Sequence, residues 1–336
     1  DEITNEYLNT IKTNRENKRF IYILNKVKTD DEDNIYNCWN ETQFLSTRTF
    51  HNIFFDGKKE FLEKIDFFMK NRKWYENKGV PYTLGIGLHG PPGTGKTSLI
   101  KALAHYTNRN IIFLSLKIIK TKQQLEKFFF ENTYNSNNEK GSISFDNKII
   151  VIEDIDCIGD IVLKREYKFK KNNTSTNKNN NKNKQHYLTN KSQDDNVKLG
   201  DVLKNIMDIN ATDSVQVKLP NMNNEDNITL DDILNLWDGI RETPGRILII
   251  TSNHYDELDS ALIRPGRIDI SHELQNASYN TIKEMYYHFF ENEINTTQLK
   301  KVKEYFYSPA EIVNMYISHK TESAFIKRLI QNNKIG

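Results

Sequence analysis

The sequence predicts an α/β fold: a parallel sheet with flanking helices, followed by a small all-helical lid at the C-terminal end. Three observations carry this. The strand-like run Leu84-Gly-Ile-Gly-Leu-His89 leads into a glycine-rich turn and then into Ser98–Ala104 at helical spacing. Ile149-Ile-Val-Ile152 is apolar without alternation, as in a strand buried on both faces of a parallel sheet. From about Tyr279 to Ile335 only helical patterning remains, which places the lid after the α/β core.

Taken in order, residues 1–50 mix charge and aromatics around one apolar run, Phe20–Leu24. Asp56 to Tyr75 has helical periodicity through Phe61, Leu62, Ile65, Phe68 and Met69, and stops before the breaker group Gly79-Val80-Pro81. A strand at 84–89, a helix to about 106, a strand at Ile111–Leu116, a helix at 121–131 and the strand at 149–152 follow. Asn, Lys, Thr and Ser dominate from about 164 to 196. Such a stretch buries too little apolar surface to fold alone, so it reads as a disordered insert in a surface loop. Order resumes with a helix at Leu230–Trp237 and a strand at Arg246–Thr251. The expected organisation is an N-terminal region over 1–50, an α/β unit over 51–277 and a helical lid over 278–336.

The chain of 336 residues can form two compact cores, and its net charge of +2 argues for no bulk attraction to nucleic acid or acidic membrane. Cys38 and Cys157 are far apart and in no metal-ligand or redox spacing, which suits a reducing, intracellular compartment or simply a chain with no disulfide requirement. There is no signal peptide, and no apolar run approaches the roughly 18 to 20 residues that span a bilayer. The chain opens on Asp1, so a membrane segment elsewhere in a longer product is compatible with this sequence.

The chemistry begins with Gly90-Pro91-Pro92-Gly93-Thr94-Gly95-Lys96-Thr97, which fits the phosphate-loop pattern G-x-x-x-x-G-K-[ST] at every required position. Its glycines let successive N–H groups point at one phosphate cluster, and the following helix, from Ser98, adds its positive N-terminal end. ATP with Mg2+ is the expected ligand: Lys96 reaches the β- and γ-phosphates, and the Thr97 hydroxyl ligands the metal. Glu153-Asp154 follow the buried strand directly. Glu153 suits the metal side and Asp154 the polarisation of an attacking water. Asn253 ends the next apolar strand and can orient that water. Arg264 and Arg267, held by a Pro-Gly turn, suit arginine fingers given to a neighbouring subunit's site.

With these four elements in this order, residues 50–320 resemble the AAA family of ATPases. Arg72-Lys-Trp-Tyr75, Gly79-Val-Pro-Tyr82, Ile152-Glu-Asp-Ile-Asp156, Leu234-Asn-Leu-Trp-Asp-Gly239 and Thr251-Ser-Asn-His254 resemble its Bcs1 mitochondrial chaperone subfamily. That resemblance implies a homo-oligomeric ring of six or seven subunits, a protein client that is moved or matured, and the mitochondrial inner membrane. Membrane contact would come through a segment outside this chain. The Glu-Asp order, where most AAA proteins have Asp-Glu, is itself a Bcs1-like trait. Lys117–Thr121 lacks the aromatic–hydrophobic–Gly triplet of threading unfoldases, and residues 1–50 match the Bcs1-specific domain only partly.

Two other functions are weaker. A linked zinc peptidase needs H-E-x-x-H, but His272-Glu-Leu-Gln-Asn276 lacks the second histidine. A nucleic-acid-dependent motor of the replication or clamp-loading type has only the lysines of the insert in its favour, so nucleic acid is disfavoured as a partner.

Overall fold

The strand before the phosphate loop, β3 (Thr83–His89), lies between β6 (Arg246–Ser252) and β7 (Ile270–Glu273) and is parallel to both. It belongs to a seven-stranded sheet of order β2-β1-β4-β5-β6-β3-β7, seen in a computed structural model that describes residues 15, 18–25, 38–135, 142–159, 161–164 and 228–333. The remaining strands are β1 (Phe20–Leu24), β2 (Trp39–Gln43), β4 (Asn110–Phe113) and β5 (Lys148–Ile152). Every neighbouring pair is parallel except β1 with β2. Apart from Lys164, the insert expected at about 164–196 lies outside the described residues.

β5 and β6 are buried along their whole length, as their apolar runs Ile149–Ile152 and Ile247–Ile250 require. Their side chains alternate between two cores. Ile150, Ile152, Leu248 and Ile250 face one, with α4 (Lys122–Phe130), α5 (Leu230–Asp238), Tyr22 and Trp39. Ile149, Val151, Ile247 and Ile249 face the other, with α1 (Lys58–Lys70) and α3 (Lys96–Thr107). A third cluster joins α6 (Tyr279–Phe290), α7 (Thr296–Leu299), α8 (Pro309–Ser318) and α9 (Glu322–Ile330) around Met285, Tyr307, Met315 and Phe325.

The structure departs from the sequence reading in four places. Residues of the 1–50 region supply β1 and β2, which extend the sheet beyond β4. The helix expected over 56–75 is two: Asn71 caps the first by donating its backbone N–H and its side-chain amide to the Phe67 carbonyl, and α2 (Arg72–Lys78) starts afresh. The strand expected at 111–116 stops at Phe113. β7, which carries the first two residues of the failed zinc sequence, was not anticipated.

Candidate active site

Parallel pairing fixes where the site forms. His89 is in register with Ser252, and Ile152 with Ile250, so Gly90, Glu153 and Asn253 all leave the sheet at one end. This is the carboxyl edge at which ligands bind in open α/β sheets.

Gly90 has a positive φ of 129° and lies so close to β7's extension that an added Cβ would come within 2.0 Å of the Leu274 carbonyl oxygen. Gly93 and Gly95 also have positive φ, and the Thr94 hydroxyl donates to the Pro91 carbonyl at 2.8 Å, closing the loop on itself. Gly95 caps α3 with no side-chain hydrogen bond, which leaves the first-turn N–H groups for an anion. Lys96 Nζ donates to the carbonyl oxygens of Gly90 (2.6 Å) and Pro91 (3.1 Å) and to Oδ1 of Asn253 (2.8 Å). Burial lowers the Lys96 pKa, and the carboxylates of Asp154, Asp156 and Glu153 oppose that shift.

On the acidic side, the Thr97 hydroxyl donates to Glu153 Oε1 at 3.0 Å. Two hard oxygens so placed fit a small divalent cation that takes one or two protein oxygens and completes its sphere with water and phosphate. Among the described residues no three His, Cys, Asp or Glu side chains gather into a protein-only metal cage. Asp154 is exposed and left-handed (φ 48°, ψ 53°), and its N–H donates to Thr251 Oγ1 at 2.9 Å. The structure therefore brings together Gly90–Ser98, Glu153, Asp154 and Asn253.

It does not bring Arg264 and Arg267 to that cluster. The Arg267 carbonyl lies against Gly85, which precedes Gly90 by five residues, roughly 16 Å along an extended strand. Both arginines meet Asp238 at the end of α5. Arg264 Nη2 contacts Oδ2 at 2.6 Å, while Arg267 grips both carboxylate oxygens at 2.8 Å and donates to the Ala261 carbonyl. Burial pushes the Asp238 pKa up, but the hydrogen bonds from Arg267 and Arg264 outweigh it and hold the carboxyl below its ordinary value.

A cavity of about 360 Å³ opens beside Gly93, Thr94, Gly95 and Ser98, between the segment 48–55 and helices α6 and α8. Ile53, Phe55, Leu99, Met285 and Val313 give it apolar walls, which suit the base of a nucleotide whose phosphates lie on the loop. The sequence reading missed this part, because its walls come from separate segments without a shared motif. One piece had a signal: Ser308-Pro-Ala-Glu311 is a capping box with proline in the first turn. The helix it starts, α8, sits on the phosphate loop, with Ala310 N–H donating to the Gly93 carbonyl at 3.3 Å.

Residues 86–216 and 181–276 match the family described as ATPase family associated with various cellular activities (AAA); together the stretches cover more than half of the chain. An AAA-ATPase of Arabidopsis thaliana, At3g28600, is 29% identical over 305 residues, 87% of this chain and 53% of its own length. The probable mitochondrial chaperone BCS1-B of Dictyostelium discoideum is 27% identical over 80% of this chain and 51% of its own. BCS1-A of the same organism is 31% identical over 70% and 42% respectively. The chain thus spans about half the length of the curated relatives it matches. Since the family match runs from the phosphate loop through the acidic strand end to the arginine turn, the chain belongs to the AAA family of ATPases, with BCS1-type chaperones among its relatives.

Proposed function

We propose that this chain is the ATP-hydrolysing module of a Bcs1-type machine, a homo-oligomeric ring of six or seven subunits that chaperones or translocates a protein client. The observation that carries the ATPase reading is the meeting of three strand ends, where Lys96 contacts Asn253 and Thr97 contacts Glu153. Gly90 to Ser98 would bind the phosphates of ATP through backbone N–H groups, with Lys96 supplying positive charge. Thr97 and Glu153 would hold Mg2+, which when bound neutralises phosphate charge. Asp154, exposed beside them, would take the proton of the attacking water, and Asn253 would orient that water. Arg264 would serve the neighbouring subunit's site. The α/β unit over 51–277 and the helices over 278–336 would act as base and lid around the apolar cavity.

The relatives named as mitochondrial chaperones support a mitochondrial place for this chain; a place at the inner membrane, with contact through a segment outside this chain, would follow from the Bcs1 resemblance alone. Among the described residues, no helix is long and apolar enough to cross a membrane.

The ATPase reading is tested by measuring turnover and nucleotide affinity together. Lys96→Ala is expected to lose both. Asp154→Asn should bind MgATP like the parent and hydrolyse it at least about a hundredfold more slowly; unimpaired turnover in Asp154→Asn would falsify the water-activating role. Electron micrographs with ATP test the ring, and rings of neither six nor seven subunits would overturn that part. ATPase activity stimulated by DNA would favour the nucleic-acid motor instead.

A further inference from the structure

We propose that Thr251 is a positioning residue for hydrolysis: its hydroxyl holds the Asp154 peptide so that the carboxylate faces the water. This rests on the reading of Asp154 as the water-activating group. β5 ends at Ile152, and its pairing with β6 ends at Ile152↔Ile250. The chain then turns sharply into a single 3-10 turn, Ile155–Ile158, whose N-cap is Asp154. Beyond the ladder, the Asp154 N–H needs another acceptor, and Thr251 Oγ1 supplies it at 2.9 Å. On the other side, the Asp154 carbonyl accepts from Cys157 N–H at 2.9 Å, so the residue is clamped through the peptide units on both sides of it.

The clamp matters because Asp154 has φ 48°, in the left-handed region that a residue with a Cβ enters only at a cost. A non-glycine residue stays there when its surroundings over-determine it. Thr251 is suited to do so, since it is 2% exposed and lies in a fully buried strand. It is also paired with Leu88 of β3, one residue before the strand end that feeds the phosphate loop. Asn253, two residues further on, meets Lys96. One strand end therefore places Asn253 directly and the proposed base, Asp154, through its backbone. Loss of the hydroxyl would leave the Asp154 peptide free to leave the left-handed region and swing the carboxylate away, with the phosphate loop untouched.

The test uses the full chain, with steady-state MgATP hydrolysis and the affinity of a fluorescent ATP analogue. Thr251→Val, nearly isosteric, is expected to lower kcat about a hundredfold, the scale of a 1 Å misplacement. KM and analogue affinity should stay within about twofold. Thr251→Ser, which keeps the hydroxyl, should restore most of kcat. In the Asp154→Asn background, adding Thr251→Val should slow turnover no further. Thr251→Ala carries the same expectations if the valine variant does not fold. Normal kcat in Thr251→Val while Asp154→Asn is inactive overturns the proposal alone. So does a loss of analogue affinity in step with turnover, or a serine variant that restores nothing; either result makes Thr251 merely structural. Full turnover in Asp154→Asn instead removes the reading of Asp154, and the proposal with it.

Discussion

Arg264 and Arg267 share one turn and one carboxylate but differ sharply in exposure. The Arg267 side chain is 9% exposed, and its Nε, Nη1 and Nη2 are all engaged, two on Asp238 and one on the Ala261 carbonyl. Arg264 is 57% exposed and, among the described residues, its side chain is held by a single contact. A buried planar guanidinium gripped bidentately is held firmly in place, whereas one exposed contact is worth little and breaks easily. Arg267→Ala should therefore destabilise the monomer, by about 1–3 kcal/mol, because the Ala261 carbonyl and half of Asp238 lose their partners. If Arg264 serves a neighbouring subunit as proposed, Arg264→Ala should leave the melting temperature and nucleotide affinity unchanged and cut hydrolysis by about a thousandfold or more. Thermal melts and concentration-dependent ATPase assays separate the two, and equal effects on Tm would refute the division. The sequence showed two equivalent arginines; only their burial tells them apart.

At the scale of elements, β3 depends on glycine where it meets the arginine turn. An added Cβ on Gly85 would lie 1.7 Å from the Arg267 carbonyl oxygen. The same contact is tied by two hydrogen bonds, Asp269 N–H to the Gly85 carbonyl at 2.8 Å and Gly85 N–H to Asp269 Oδ2 at 2.9 Å. Gly85→Ala must push the turn off the strand, so it should lower Tm by several degrees and reduce ATP turnover together. Gly79→Asn is the control: Gly79 is left-handed with open space around it, a setting asparagine tolerates, and it should melt like the parent. A Gly85→Ala protein that melts like the control would sink the close-packing argument. β3, β5, β6 and α3 were legible in sequence because each carries a motif or an unbroken apolar run. β2 (WNETQ) and β7 (ISHE) were not, since each edge strand buries one residue and shows no pattern to read. Likewise the phosphate-binding half of the site is local in sequence and readable. The apolar cavity is made by residues from 48 to 313 that only tertiary packing assembles.

Across the whole molecule, the end of the sheet opposite the site is held by buried cations. Arg246, the first residue of β6, donates to the Leu236 and Trp237 carbonyls in the last turn of α5. Arg109, just before β4, donates to the Gly245 carbonyl at 2.6 Å. Lys148, the first residue of β5, donates from Nζ to the carbonyl of Glu131, the C-cap of α4, and to the Tyr134 hydroxyl. Arg246 and Lys148 meet the negative ends of helix dipoles and Arg109 a loop carbonyl, so together they tie helices and loops to the strand starts. The tie is costly for Lys148, which is 1% exposed and whose pKa burial pushes from 10.5 down to about 7. Below about pH 7 the ammonium is charged in both folded and unfolded chains, and the folded state bears the whole desolvation penalty. Between about 7 and 10.5 the unfolded chain holds more protons than the folded one, so stability rises with pH. Above that window both forms are neutral and the penalty is gone. Burial instead raises Tyr134 well above its ordinary value, so its hydroxyl stays neutral throughout. Comparing the parent with Lys148→Met isolates this effect, because all other titrations are common to both. The Tm of the parent minus that of the variant should increase steadily from pH 7 to 10. A difference that stays flat across that range would mean that Lys148 keeps an ordinary pKa in the folded protein.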